Sequence, residues 1–117
     1  MLEGIRVLDF TQYLPGPHAT LRLADMGADV IKIEAPFGDL ARFSLDEHEQ
    51  SPVFLAQNRK KKSVVLNLKN EEDRKAALEL AREADVVIEG FRPGVAARIG
   101  IGYEEIKSIK PDIIYCS

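Results

Sequence analysis

Short apolar runs bounded by turn residues alternate along the chain with longer stretches in which apolar positions recur every three or four residues. Ile5-Arg6-Val7-Leu8 reads as a first strand, ended by Asp9 and the polar Thr11-Gln12. Leu14-Pro15-Gly16-Pro17 is a rigid turn, with φ fixed at each proline and freedom at Gly16. Pro17 suits the first position of a helix. That helix carries Ala19, Leu21, Leu23, Ala24 and Met26, with Gly27 as its stop. Val30-Ile31-Lys32-Ile33 is the second strand, followed by Glu34 and a Pro36-Phe37-Gly38-Asp39 turn. Strand, turn, helix and strand within about 30 residues make one βαβ unit.

From Leu40 to Gln50 the pattern dissolves into polar loop, with a short helical turn expected from Pro52 to Gln57. The basic run Arg59-Lys60-Lys61-Lys62 leads into a strand, Ser63-Val64-Val65-Leu66-Asn67-Leu68. Asn70 then caps a helix from Glu71, whose acidic start is matched to the helix dipole. Its buried side is Leu78 and Leu80 with Ala76, Ala77, Ala81 and Ala84. Val86-Val87-Ile88 is a buried strand stopped by Glu89-Gly90, and Arg92-Pro93-Gly94 turns the chain. Short helices follow near 95–99 and 103–109; Pro111 stops the second, and Ile113-Ile114-Tyr115 is a last strand.

Strands alternating with helices predict an α/β fold, a mostly parallel sheet with helices on both faces. Ligands of such folds bind at the strand tips, where Phe91 and Arg92 offer an aromatic face and a guanidinium to a nucleotide. A capped strand end with a core Phe and a solvated Arg explains the same two residues equally well. The chain closes on a strand that needs a covering helix, so the expectation is a domain portion cut short at Ser117.

Composition narrows the classes. A length of 117 residues, 45% hydrophobic and 30% charged, is that of one soluble domain or a piece of one. A net charge of −3 gives no reason to expect nucleic acid or an acidic membrane surface. The single cysteine, Cys116, permits no internal disulfide and no thiolate cluster, which fits a cytoplasmic location. No signal peptide or spanning segment is visible.

The known nucleotide motifs are missing. No G-x-G-x-x-G follows the first strand, and no G-x-x-x-x-G-K-[ST] occurs. Pro15 and Pro17 lack the N–H a phosphate would need, so Pro15-Gly16-Pro17 reads first as a tight strand-to-helix corner. His18 and His48 have no partners at metal-ligand spacing, and no metal is expected. The basic run is ordinarily a solvated turn; with Lys69 at the far end of the next strand, it is also a candidate grip for phosphates.

Longer segments carry a resemblance. Leu2-Glu3-Gly4-Ile5-Arg6-Val7-Leu8-Asp9-Phe10, then Gly16-Pro17, then Leu23-Ala24-Asp25-Met26-Gly27-Ala28-Asp29-Val30-Ile31-Lys32-Ile33-Glu34 are similar to the opening of the class III CoA-transferases (CaiB/BaiF type). Residues 58–68, 84–94 and 100–117 continue the likeness in order. The family also holds carnitine–CoA transferase, formyl-CoA transferase and α-methylacyl-CoA racemase. The resemblance covers essentially the whole chain; it specifies the family and not the member.

What the resemblance implies is the N-terminal, CoA-binding portion of a Rossmann-like domain spanning 1–117, incomplete without a downstream part and a second small domain. It implies an interlocked dimer or a complementing chain, and CoA or acyl-CoA as substrate, lying along the strand ends. Leu14 and Pro15 match the CoA loop after the first strand. Arg42 matches a recurrent basic position; Leu66 and Lys69 match positions around the adenine and the phosphates; Phe91 and Arg98 match further CoA contacts. Guanidinium and ammonium suit phosphates, and Phe or Leu suits a purine face. Gly90 departs from a common Asn and Ala35 from an Arg that some members use, which bears on affinity and not on fold.

In the transferases of this family a downstream Asp attacks the thioester, giving a mixed anhydride and then an enzyme-bound CoA thioester. In the racemases a downstream His and Asp exchange the proton beside the thioester carbonyl. Neither set falls within 1–117, so no catalytic residue is assigned. Asp9, Asp25 and Glu34 are carboxylates that strand-end and helix roles explain at least as well. A module that binds CoA without chemistry, and a remnant domain that binds nothing, are the rival readings.

Overall fold

The computed structural model describes residues 1–13, 15–36, 38, 56 and 58–117. Its elements are β1 (Arg6–Asp9), α1 (Pro15–Asp25), β2 (Asp29–Glu34), β3 (Lys62–Val65), α2 (Glu71–Arg82), β4 (Val86–Ile88), α3 (Val95–Arg98), α4 (Tyr103–Ile109) and β5 (Ile114–Cys116). The five strands form one parallel sheet in the order β3-β2-β1-β4-β5. This is the Rossmann-like order, in which successive crossovers run outward from β1 in both directions. The expected Rossmann-like α/β fold is the observed one.

Each inner strand is buried on both sides because its side chains alternate between two cores. Val7, Val30 and Ile88 meet Ala24 and Ala28 beneath α1. Leu8, Phe10, Ile33 and Val87 face the other way, onto Ala77 and Ala81 of α2 and Ile106 of α4. Small alanines on α2 let that helix lie close to the sheet. Leu78 and Leu80 pack only partly against it, and Ala76, predicted on the buried side, is exposed.

Local chemistry accounts for the ends of the elements. Asn70 caps α2, its Oδ1 accepting from Glu72 N–H at 2.9 Å, and Glu71, Glu72 and Asp73 follow in the first turn. The helix α1 begins on Pro15, two residues before the start expected at Pro17. First-turn N–H groups have no partner within a helix, so two prolines there forfeit no hydrogen bond. Gly27 closes α1 at φ +104°, leaving Met26 just outside the helix that was expected to carry it, and 46% exposed.

The strand predicted over 63–68 is shorter. Leu66 N–H still reaches Glu34 carbonyl at 2.9 Å, but Asn67 N–H turns to Asp73 Oδ2 at 2.9 Å. The Asn67 Oδ1 then accepts from Lys69 N–H at 3.1 Å, an Asx turn that lifts 67–69 off the sheet edge. The turn expected within 52–57 and the loop at 40–50 lie outside the described residues, apart from Ala56.

Candidate functional site

A cleft of about 530 Å³ opens at the carboxyl ends of β1, β2, β3 and β4. Its floor is apolar: Phe10 after β1, Ile33 on β2 and Leu66 after β3. Phe91, from the turn after β4, forms a wall with Val95 and Ile99. The polar side chains at its edge are Gln12, Asn67 and Lys69. The chain reverses its direction across the sheet between β1 and β4, and a crevice at that switch point is where open α/β folds take ligands. A flat apolar slot with one ammonium at the rim suits an aromatic ring system bearing negative charge.

Of the residues singled out beforehand, Leu66, Lys69 and Phe91 come together in this cleft. Lys69 is exposed, its side chain extending from the Asx turn. Phe91 is half-buried and packs against the larger core; its N–H donates to Glu89 Oε2 at 3.2 Å. Pro15 is exposed at the start of α1 and does not line the cleft. Arg98 is exposed on α3, where its Nε–H donates to the Gly94 carbonyl at 3.4 Å, and it too stands outside the lining. Leu14 and Arg42 lie outside the described residues.

Arg92 turns to a second cleft of about 560 Å³, beside β5, shared with Glu89, Tyr103 and Tyr115. Glu89 is 5% exposed, so this cleft presents a buried carboxyl group and is the poorer host for phosphates. The Tyr115 hydroxyl donates to the Ile101 carbonyl at 3.1 Å. Burial pushes its pKa up to about 12, with the nearby Glu89 charge adding to the shift.

The basic run lines neither cleft, and its cations pair within the fold. Arg59 and Lys60 pair with Asp25 at 3.0 and 3.3 Å, and Lys62 pairs with Asp29 at 3.5 Å. Lys61 is drawn inward to Asp9, Asn58 and the Pro17 carbonyl. The carboxylates Asp9 and Asp25 thus serve as counter-ions within the fold. Glu34 is buried at the end of β2 and accepts from Ser63 Oγ at 3.3 Å. Among the described residues, no three His, Cys, Asp or Glu side chains form a group that could hold a metal ion, and no helix is long and apolar enough to cross a membrane.

Pattern reading missed Phe10, Gln12, Ile33, Val95 and Ile99 as cleft residues. The signal for two of them was available: Phe10 and Ile33 share the alternation of Leu8 and Ile31, one step beyond the well-covered part of the sheet.

The site and the strand order define a doubly wound α/β protein with a nucleotide-type crevice. The sequence matches the profile of CoA-transferase family III over residues 2–117, and the chain belongs to that family. It is 47% identical over 122 residues to succinyl-CoA:mesaconate CoA-transferase of Haloarcula marismortui, covering 99% of this chain and 31% of that protein. It is 49% identical to acetyl-CoA:oxalate CoA-transferase of Acetobacter aceti, covering 98% and 30% of the two. A crystal structure of a CAIB/BAIF family protein from Brucella suis superposes with a TM-score of 0.93 at 40% identity, over 99% of this chain and 32% of that one. The chain therefore spans about three-tenths of the length of these relatives.

Proposed function

We propose that this chain is the CoA-binding portion of an acyl-CoA transferase, and that the cleft at the strand tips receives the nucleotide end of a CoA thioester. The observation that carries the reading is the convergence of Phe91, Leu66 and Lys69 on one apolar crevice at the switch point. Phe91 and Leu66 flank the purine, and the Lys69 ammonium meets a phosphate. Leu14, Pro15, Arg42 and Arg98 are assigned further CoA contacts on the family resemblance. The transfer itself, CoA passing between carboxylic acids through an Asp acyl anhydride, is assigned to family length beyond the part spanned here. On this reading the chain works with a second copy or a complementing chain, in the cytoplasm.

Calorimetric titration of the purified chain with CoA tests the reading. Saturable binding is expected, weakened about tenfold by Lys69→Ala and by Phe91→Ala, which is about 1.4 kcal/mol each. A folded chain that shows no saturable binding at millimolar CoA overturns it.

A further inference from the structure

The loop between β1 and α1 carries features that the fold alone does not need. The side chains of Lys61 and Asp9 are 1% and 0% exposed, and Thr11, Thr20 and Lys32 are buried beside them. Taking an ammonium and a carboxylate out of water is costly even when they pair, and apolar residues of similar shape commonly do as well. Here the bonds converge on one residue. Thr11 N–H donates to Asp9 Oδ1 at 2.8 Å, and its hydroxyl donates to the same oxygen. The Thr11 carbonyl accepts from Lys32 Nζ at 2.9 Å. Asp9 Oδ2 is held in turn by the Thr20 hydroxyl at 2.6 Å and Lys61 Nζ at 3.3 Å.

The helix α1 closes on Thr11 from the other side. A Cβ at Gly16 would lie 2.3 Å from the Thr11 Cβ. Just beyond, Tyr13 stands at φ +69°, a left-handed backbone that a non-glycine residue keeps only where its surroundings impose it. Between Thr11 and Tyr13 is Gln12.

Gln12 lines the cleft, half-buried, and its amide has no hydrogen-bond partner among the described residues. The other polar side chains there are differently placed: Asn67 Oδ1 already accepts from Lys69 N–H, and Lys69 can only donate. Gln12 thus brings an uncommitted donor and an uncommitted acceptor, side by side, to an apolar slot. That pairing matches the N6 amino group and N7 of adenine. Hypoxanthine offers two acceptors at the same edge and satisfies only half of it.

We propose that Gln12 is a specificity-determining residue of this cleft, reading the adenine edge of the nucleotide, and that the buried Asp9–Thr11–Lys61 brace is what positions it. The inference rests on the cleft being the CoA nucleotide site. The brace residues touch no ligand; they act through the loop.

Titrations with CoA, ADP and IDP test it. The unaltered chain prefers ADP to IDP by about tenfold. Gln12→Leu, of similar size, lowers ADP affinity to that of IDP and leaves the thermal midpoint in place. Thr11→Val keeps the shape but loses a bond to Asp9; it weakens ADP binding in the original background and not in Gln12→Leu, a non-additive cycle. Thr20→Val serves the same purpose if Thr11→Val does not fold. A merely structural role would lower the thermal midpoint and leave the ADP to IDP ratio alone. A Gln12→Leu chain that still prefers ADP overturns the assignment of Gln12, and additive effects overturn the role of the brace. If the unaltered chain binds CoA but does not distinguish ADP from IDP, only this inference falls. If it binds no CoA, the functional reading falls as well.

Discussion

Lys61 reaches from the approach to β3 across the end of β1, and its ammonium lies 3.3 Å from the Asp9 carboxylate with both side chains shut off from water. The same nitrogen donates to the Pro17 carbonyl at 2.9 Å and to Asn58 Oδ1 at 2.8 Å. One buried cation therefore ties together a strand end, a helix start and the segment before β3. Lys61→Met leaves Asp9 buried without its cation, and a loss of about 3–5 kcal/mol is expected. Denaturant unfolding measures it; a midpoint equal to that of Lys60→Met, whose pair is exposed, contradicts the assignment.

Gly16 is required by proximity and not by backbone angle. Its missing Cβ is what lets α1 seat on Thr11, the two positions being 2.3 Å apart once a Cβ is built. Gly16→Ala forces the helix start outward, at about 1–3 kcal/mol. Thermal unfolding checks this. Gly16→Ala as stable as the original chain would show that the corner can yield.

Asn70 supplies a side-chain cap to α2. Asn70→Ala is expected to lower stability by about 1 kcal/mol, while Asn70→Asp retains the cap and adds charge at the favourable end of the dipole. Denaturant midpoints that rank Asp with Ala, and not with Asn, would count against the cap.

Tyr115 has a pKa raised to about 12 in the folded state against an ordinary value of 10.0. The folded chain thus holds the phenolic proton more tightly than the unfolded chain does. The resulting stabilisation is fully present below about pH 10 and is lost as pH rises towards 12. Absorbance titration of the tyrosinate should show an ionisation centred near pH 12 that Tyr115→Phe removes. If the step persists in that variant, its origin lies elsewhere.

Much of the fold was legible because its signals are local. The helix over Tyr103–Ile109 and the strand over Val86–Ile88 begin and end where Gly, Pro and apolar runs placed them. So does the start of α2 at Glu71, since Asn70 announces itself by residue type. The part of the cleft supplied by Leu66, Lys69, Phe91 and Ala35 is legible in advance, through family likeness more than through spacing. The basic run shows why. Arg59 and Asp25 are 34 positions apart, and Lys61 and Asp9 are 52 apart. Four consecutive cations look alike in the sequence, yet three end in exposed pairs and one in the interior. Which one turns inward depends on partners that no short window contains.

The 52-position span between Asp9 and Lys61 has a consequence for the order of events during synthesis. The β1 and α1 segments are made before the cation that locks their junction, which lies 52 positions after Asp9. Closing so large a loop is slow compared with forming a helix. The crevice at the strand tips is therefore incomplete until Lys61, and after it Phe91 and Ile99, have been made.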